Sequence, residues 1–201
     1  MTDEIISIKR LHGVCHVKLA GGAEFRFPSV FLSERPLKVG RMVDREEYLA
    51  FVNSRALPFA IDRAVKLQAM REHTEKEVAA ALKKSAYPDN IIAKVMDLMT
   101  SSELVSDERF AEQWVRHRAR TKGRRMIALE MKQKGVGEQD VEKALKEFSE
   151  EDETAAARKW AEKLFRQGKD APHVMQALLR RGYSYQVCKK AMNGWEGDEE
   201  M

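Results

Sequence analysis

Residues 124–148 read RRMIALEMKQKGVGEQDVEKALKEF, and residues 171–195 read APHVMQALLRRGYSYQVCKKAMNGW. Laid beneath EKEVAAALKKSAYPDNIIAKVMDLM at 75–99, they put Ala86, Gly135 and Gly182 in one column, at offsets of 49 and then 47. The apolar residues then fall into register: Val78, Ile127, Val174; Leu82, Met131, Leu178; Tyr87, Val136, Tyr183. Past the turn come Ile92, Val141, Cys188, then Val95, Ala144, Ala191, and last Met99, Phe148, Trp195. A fixed period of this size marks stacked helical units that together bury a core no single unit could bury alone. The expected fold is mainly α: an elongated solenoid of three tandem three-helix repeats. Such long surfaces suit binding better than catalysis.

Working outward, each unit opens with a further helix whose register is looser. Asp62, Asp107 and Asp152 recur 45 apart, and Trp114 and Trp160 take comparable places. Unit two carries the extra Thr121-Lys122-Gly123-Arg124-Arg125, which changes the offset from 45 to 49. Start and stop signals agree with the division. Thr74 with Glu77 forms a capping box, and Ser106-Asp107-Glu108 puts acceptors on a positive helix end. Gly135 suits the left-handed residue that closes a helix, and the chain turns again at Gly182. The repeats are placed at 59–106, 107–150 and 151–195, followed by an acidic tail at 196–201.

The first 58 residues read differently, as a small β-rich N-terminal module. Ile5, Ile6, Ile8 and then Val14, His16, Val17, Leu19 are strand-like runs joined at His12-Gly13. Gly21-Gly22 leads into the alternating Glu24-Phe25-Arg26-Phe27. Asp44 caps a short helix, and the module ends near Arg55, with a linker expected around Leu57-Pro58.

Composition limits the function classes. The charged share is 34% and the hydrophobic share 43% of 201 residues. Cys15 and Cys188 lie far apart, without metal-ligand or redox spacing, and suit a reducing compartment. No signal peptide and no span of about 18 apolar residues is read, so the expected place is the cytoplasm, away from membranes. The five histidines are scattered, and no HExxH, P-loop or GxSxG motif occurs. No catalytic set, metal site or cofactor is therefore expected.

Basic residues are the one functional signal. Nine lie between Asp107 and Gly135 and nine between Arg158 and Lys190, although the net charge is only +4. Arg116, Arg120, Lys122, Arg124 and Arg125 gather at one helix end and loop. Lys132 and Lys134 follow, matched in unit three by Arg180 and Arg181. Each could simply complement a helix C-terminus, but their recurrence at equivalent places suggests a shared anionic partner held by phosphate contacts. The aromatics, Tyr185 excepted, fall at core spacing and give no stacking platform.

Several stretches resemble the RecX family of regulatory proteins. Ser106-Asp107-Glu108-Arg109-Phe110-Ala111, followed by Trp114-Val115, is the most specific of them. Arg71-Glu72-His73-Thr74, Gly123-Arg124-Arg125 through Lys134-Gly135-Val136, and Arg180-Arg181-Gly182-Tyr183-Ser184-Tyr185 follow in order, so the resemblance spans about residues 60–193. It implies tandem three-helix repeats and a non-enzymatic modulator of RecA. Such a monomer would lie along the RecA filament on single-stranded DNA, with effects on recombination, DNA repair and the SOS response. Ser85-Ala86 stands where the family commonly has glycine, which leaves that turn free to close differently. A helical protein binding DNA or RNA directly, without RecA, is the alternative. A scaffold for another protein comes third, and an enzyme last.

Overall fold

The computed structural model describes residues 1–194. Trp195, assigned to the core by the register, and the acidic tail 196–201 lie outside the described residues. The described chain divides into two compact units, Met1–Val105 and Ser106 onward.

The first unit opens with a four-stranded antiparallel sheet in the order β3-β2-β1-β4, formed by β1 (Thr2–Leu11), β2 (Val14–Leu19), β3 (Glu24–Pro28) and β4 (Met42–Asp44). The β1–β2 turn is two residues, His12 and Gly13, with φ of +50° and +80°. Positive φ at both positions gives a tight hairpin the right-handed twist of its strands. Ile6 is the extra residue where the β1 register shifts between Ile5 and Ser7, and it faces solvent. The sequence reading missed β4. Its three residues are too few to alternate and exist as a strand by pairing with Thr2–Glu4. A short α1 (Phe31–Glu34) lies between β3 and β4.

The expected linker at Leu57-Pro58 is absent. Instead α2 (Arg45–Met70) runs unbroken through Pro58, capped by Asp44, whose Oδ1 accepts the Glu46 and Glu47 N–H groups at 3.0 and 3.1 Å. A proline inside a helix costs about 3 kcal/mol by removing one N–H donor and crowding the preceding turn. Burial offsets that cost here: Tyr48, Val52, Ala56, Ala60 and Ala64, four apart, form a fully packed stripe. The same helix lies under the sheet and serves as the first helix of repeat one. One core therefore runs from Ile5 to Val105, with Phe27 and Tyr48 rings 4.8 Å apart at its sheet end.

Repeat one continues with α3 (Glu75–Lys84) and α4 (Asp89–Ser101). The second unit holds α5 (Asp107–Arg118), α6 (Arg124–Lys134) and α7 (Glu138–Lys146), then α8 (Glu150–Arg166), α9 (Ala171–Arg180) and α10 (Tyr185–Met192). Each triplet has its own apolar cluster, one around Phe110, Ile127 and Met131, the other around Val174, Leu178 and Tyr183. Side-chain caps open the helices, as expected at Thr74, which accepts from Glu77 N–H, and at Ser106, which accepts from Arg109; Ser184 likewise accepts from Val187.

The column that aligned the repeats is one turn built three times. Ala86, Gly135 and Gly182 have φ of +59°, +95° and +89°. The next residue's N–H returns to the helix in each: Tyr87 to Leu82 at 3.3 Å, Val136 to Met131 at 3.1 Å, Tyr183 to Leu178 at 3.4 Å. Repeat one thus closes like the others despite lacking the glycine, with alanine in a conformation that an L side chain strains by about 1 kcal/mol. Replacing Ala86 with glycine should raise the stability of the first unit by about 1 kcal/mol in urea unfolding. Unchanged or lower stability would contradict the left-handed assignment.

Candidate binding surface

The insertion Thr121–Arg125, expected to be a basic surface loop, is first a backbone joint between the second and third repeats. Helix α6 begins at Gly123, which has no side chain to cap it. Its opening N–H groups find acceptors in repeat three instead. Gly123 N–H donates to the Arg181 carbonyl at 3.0 Å, Arg124 N–H to Glu153 Oε1 at 2.8 Å, and Arg125 N–H to the Gly182 carbonyl at 3.3 Å. The two backbones meet so closely that a Cβ on Gly123 would lie 2.4 Å from Tyr183 N, and one on Gly182 would lie 2.4 Å from Met126 N. Glycine at both positions is a packing requirement, and at Gly182 a conformational one too.

Glu153 is the buried charge at this joint, only 4% exposed. Besides the Arg124 N–H, it faces Arg124 Nε at 3.4 Å. Burial pushes its pKa up, and the bond and charge of Arg124 pull the other way without cancelling it. Beside it Tyr183 Oη is buried with no hydrogen-bond partner among the described residues, and burial pushes that phenol up to about 12.

The nine basic residues singled out by sequence divide by what they touch. The Arg124 guanidinium donates to the Phe148 carbonyl and lies over the Phe148 ring. Arg181 stacks on Trp160, 3.5 Å from the ring centroid, and reaches the Thr121 carbonyl at 3.3 Å. Lys134 lies over Trp114 at 4.7 Å, and Lys132 pairs with Glu138 at 2.6 Å. These four are engaged by the protein itself. Arg116, Arg120, Arg125 and Arg180 are exposed and Lys122 half-buried, and none of their side chains has an ion-pair or hydrogen-bond partner among the described residues.

The structure brings the five together in two places. Lys122, Arg125 and Arg180 surround the joint, because Arg125 bonds Gly182, two residues beyond Arg180. Arg116 on α5 and Arg120 just past its end line an open groove of about 680 Å³ and meet Lys159 of α8 there. Sequence reasoning did not single out Lys159. It also missed Glu130, which accepts from Trp114 Nε1 at 3.1 Å and twice from Arg118, at 2.8 and 3.1 Å, with Arg118 above the Trp114 ring. Trp114 and Arg118 stand one turn apart on α5, but nothing local pointed to an acid on the next helix.

Residues 60–97 match the first three-helix domain of RecX and residues 106–145 the second. The regulatory protein RecX of Mycolicibacterium vanbaalenii is 37% identical over 138 residues, covering 60% of this chain and 73% of that protein. That of Limosilactobacillus reuteri is 27% identical over 190 residues, covering 90% and 72%. A crystal structure of regulatory protein RecX superposes with a TM-score of 0.64 at 25% identity, covering 93% of this chain and 97% of the other. The chain belongs to the RecX family of regulatory proteins.

The buried carboxylate carries its own pH signature. Because its folded pKa lies above the ordinary value of about 4.5, the stability contributed here is full below that pH and lost as pH rises through the folded pKa. Glu153→Gln keeps an acceptor for the Arg124 N–H without the buried charge, so it should gain on wild type as pH rises from 4.5 to 7. Glu153→Ala, which orphans that donor, should lose about 1–3 kcal/mol. Denaturant curves that differ equally at every pH would contradict a buried ionised Glu153.

Proposed function

We propose that this chain is a non-enzymatic regulator of the RecA recombinase, acting as an inhibitor. It binds along the RecA filament on single-stranded DNA and so modulates recombination, DNA repair and the SOS response. It acts as a cytoplasmic monomer, with the repeats at 59–106, 107–150 and 151–195 as its contacting modules. Among the described residues no helix is long and apolar enough to cross a membrane.

The observation that carries this reading is the set of five unpaired cations, Arg116, Arg120, Lys122, Arg125 and Arg180, on one unit of a RecX-family chain. Unpaired arginines pay no cost of breaking an internal pair when they meet phosphate, and their contacts release counterions from the nucleic acid. Lys122, Arg125 and Arg180, around the joint, are the natural phosphate contacts. Direct nucleic-acid binding without RecA uses the same cations and predicts tight, salt-steep binding to naked DNA.

The test is single-stranded-DNA-dependent ATP hydrolysis by RecA with this protein titrated in. Inhibition below stoichiometric amounts is expected from wild type. Arg125→Glu/Arg180→Glu should fold normally yet need about tenfold more protein for the same inhibition. Arg124→Glu and Arg181→Glu should instead lower thermal stability, because both side chains are engaged by the fold. A folded Arg125→Glu/Arg180→Glu protein that inhibits at full strength would sink the phosphate assignment. Tight, salt-steep binding of wild type to naked DNA with no effect on RecA would favour the alternative.

A further inference from the structure

The third repeat departs from the other two where its last helix begins. In the repeat register Tyr185 stands opposite Glu138 and Asp89, and Lys189 opposite Glu142 and Ala93. An acid in the first turn of a helix complements its dipole, and α4 and α7 both carry one there. Helix α10 has none. It puts a tyrosine in that place and a lysine one turn later, and so forgoes that stabilisation. Tyr185 is 61% exposed, the one exposed aromatic among the described residues, and its side chain has no hydrogen-bond, cation or ring partner among them. Lys189 is likewise exposed, without an ion-pair or hydrogen-bond partner among the described residues.

The joint sets this pair beside the cations already assigned to phosphate. Tyr185 lies three residues beyond Gly182, whose carbonyl accepts the Arg125 N–H at 3.3 Å, and Arg180 lies two residues before that glycine. Burial and Glu153 push the thiol of Cys188, the neighbour of Lys189, up to about 11, and Arg125 is close enough to pull it the other way. The carboxylates that act on α10 are committed elsewhere. Glu150 pairs with Lys190 at 2.5 Å, Glu151 adds to the same raised amine, and Glu153 is buried against Arg124.

We propose that Tyr185 is a stacking platform for an unpaired nucleobase, with the flanking phosphates held by Arg125, Arg180 and Lys189. An exposed ring between cations offers a base its π-face while the charges track the backbone, and any base can use it. A duplex supplies the same phosphates but keeps its bases stacked on one another, out of reach of the ring. The surface therefore selects single-stranded over double-stranded nucleic acid. The inference rests on the phosphate contacts proposed above and adds the base contact to them.

The test is fluorescence anisotropy of the full chain at low salt with fluorescein-labelled (dT)30, an abasic strand of the same length, and a duplex. Circular dichroism checks that each variant keeps native helix content. Tyr185→Ala should weaken binding of (dT)30 about tenfold while leaving the salt slope, duplex binding and abasic-strand binding as in wild type. Tyr185→Phe, which keeps the ring, should bind (dT)30 as wild type does. Full-strength (dT)30 binding by Tyr185→Ala overturns the stacking assignment and leaves the phosphate contacts standing. Equal weakening on the abasic strand or the duplex also overturns it, because the tyrosine would then be serving the backbone or the fold. A loss in Tyr185→Phe as large as in Tyr185→Ala assigns the contact to the hydroxyl and contradicts stacking. Wild type that binds no (dT)30 even at low salt fails the phosphate contacts first, and the base contact with them.

Discussion

Between Gly123 and Gly182 there is no room for a methyl group. That contact lets the backbone of one three-helix repeat supply acceptors for the first turn of a helix in another, and it organises the second unit. A helix normally solves the problem of its unpaired opening donors with its own cap. Here the cap is distributed: two carbonyls and one buried carboxylate of repeat three do the work of a serine or aspartate. The arrangement requires glycine on both sides, a buried acid to complete the set, and an arginine to neutralise the acid. Glu153 and Arg124 are thus consequences of a backbone decision.

The same contact explains why basic residues that look alike in sequence have different fates. Arg124 and Arg125 are neighbours, yet the first points its guanidinium at Phe148 and Glu153 while the second is exposed. Arg180 and Arg181 divide in the same way, with Arg181 lying flat on Trp160. A planar guanidinium stacks on an aromatic face and forks onto carbonyls, so arginine is well suited to an internal joint. Residues left over by the joint are those free to meet a partner, and they surround it or line the adjacent groove.

Much of the fold could be read from sequence because its signals are local. The period, the helix caps and the left-handed residue at Gly135 each depend on residues a few positions apart. What escaped reading depends on distant partners. Pro58 looked like a break because its helical cost is local, whereas the compensating stripe from Tyr48 to Ala64 matters only once a sheet and two helices pack on it. Strand β4 exists through its pairing with the chain's first residues. The binding surface was legible at the level of the cluster but not of the individual side chain. Whether an arginine is a clamp or a contact depends on Trp160, Phe148 or Glu153, none of which is near it in sequence.

The central claim is that the insertion Thr121–Arg125 is a joint rather than a loop, and backbone amide hydrogen exchange reads it directly. In the native protein the Gly123, Arg124 and Arg125 amides should exchange as slowly as the core of α8 and α9, opening with the unit as a whole. Exchange at those three amides as fast as at an exposed turn would mean that the repeats are not locked there, and the sorting of cations built on that lock would fall with it.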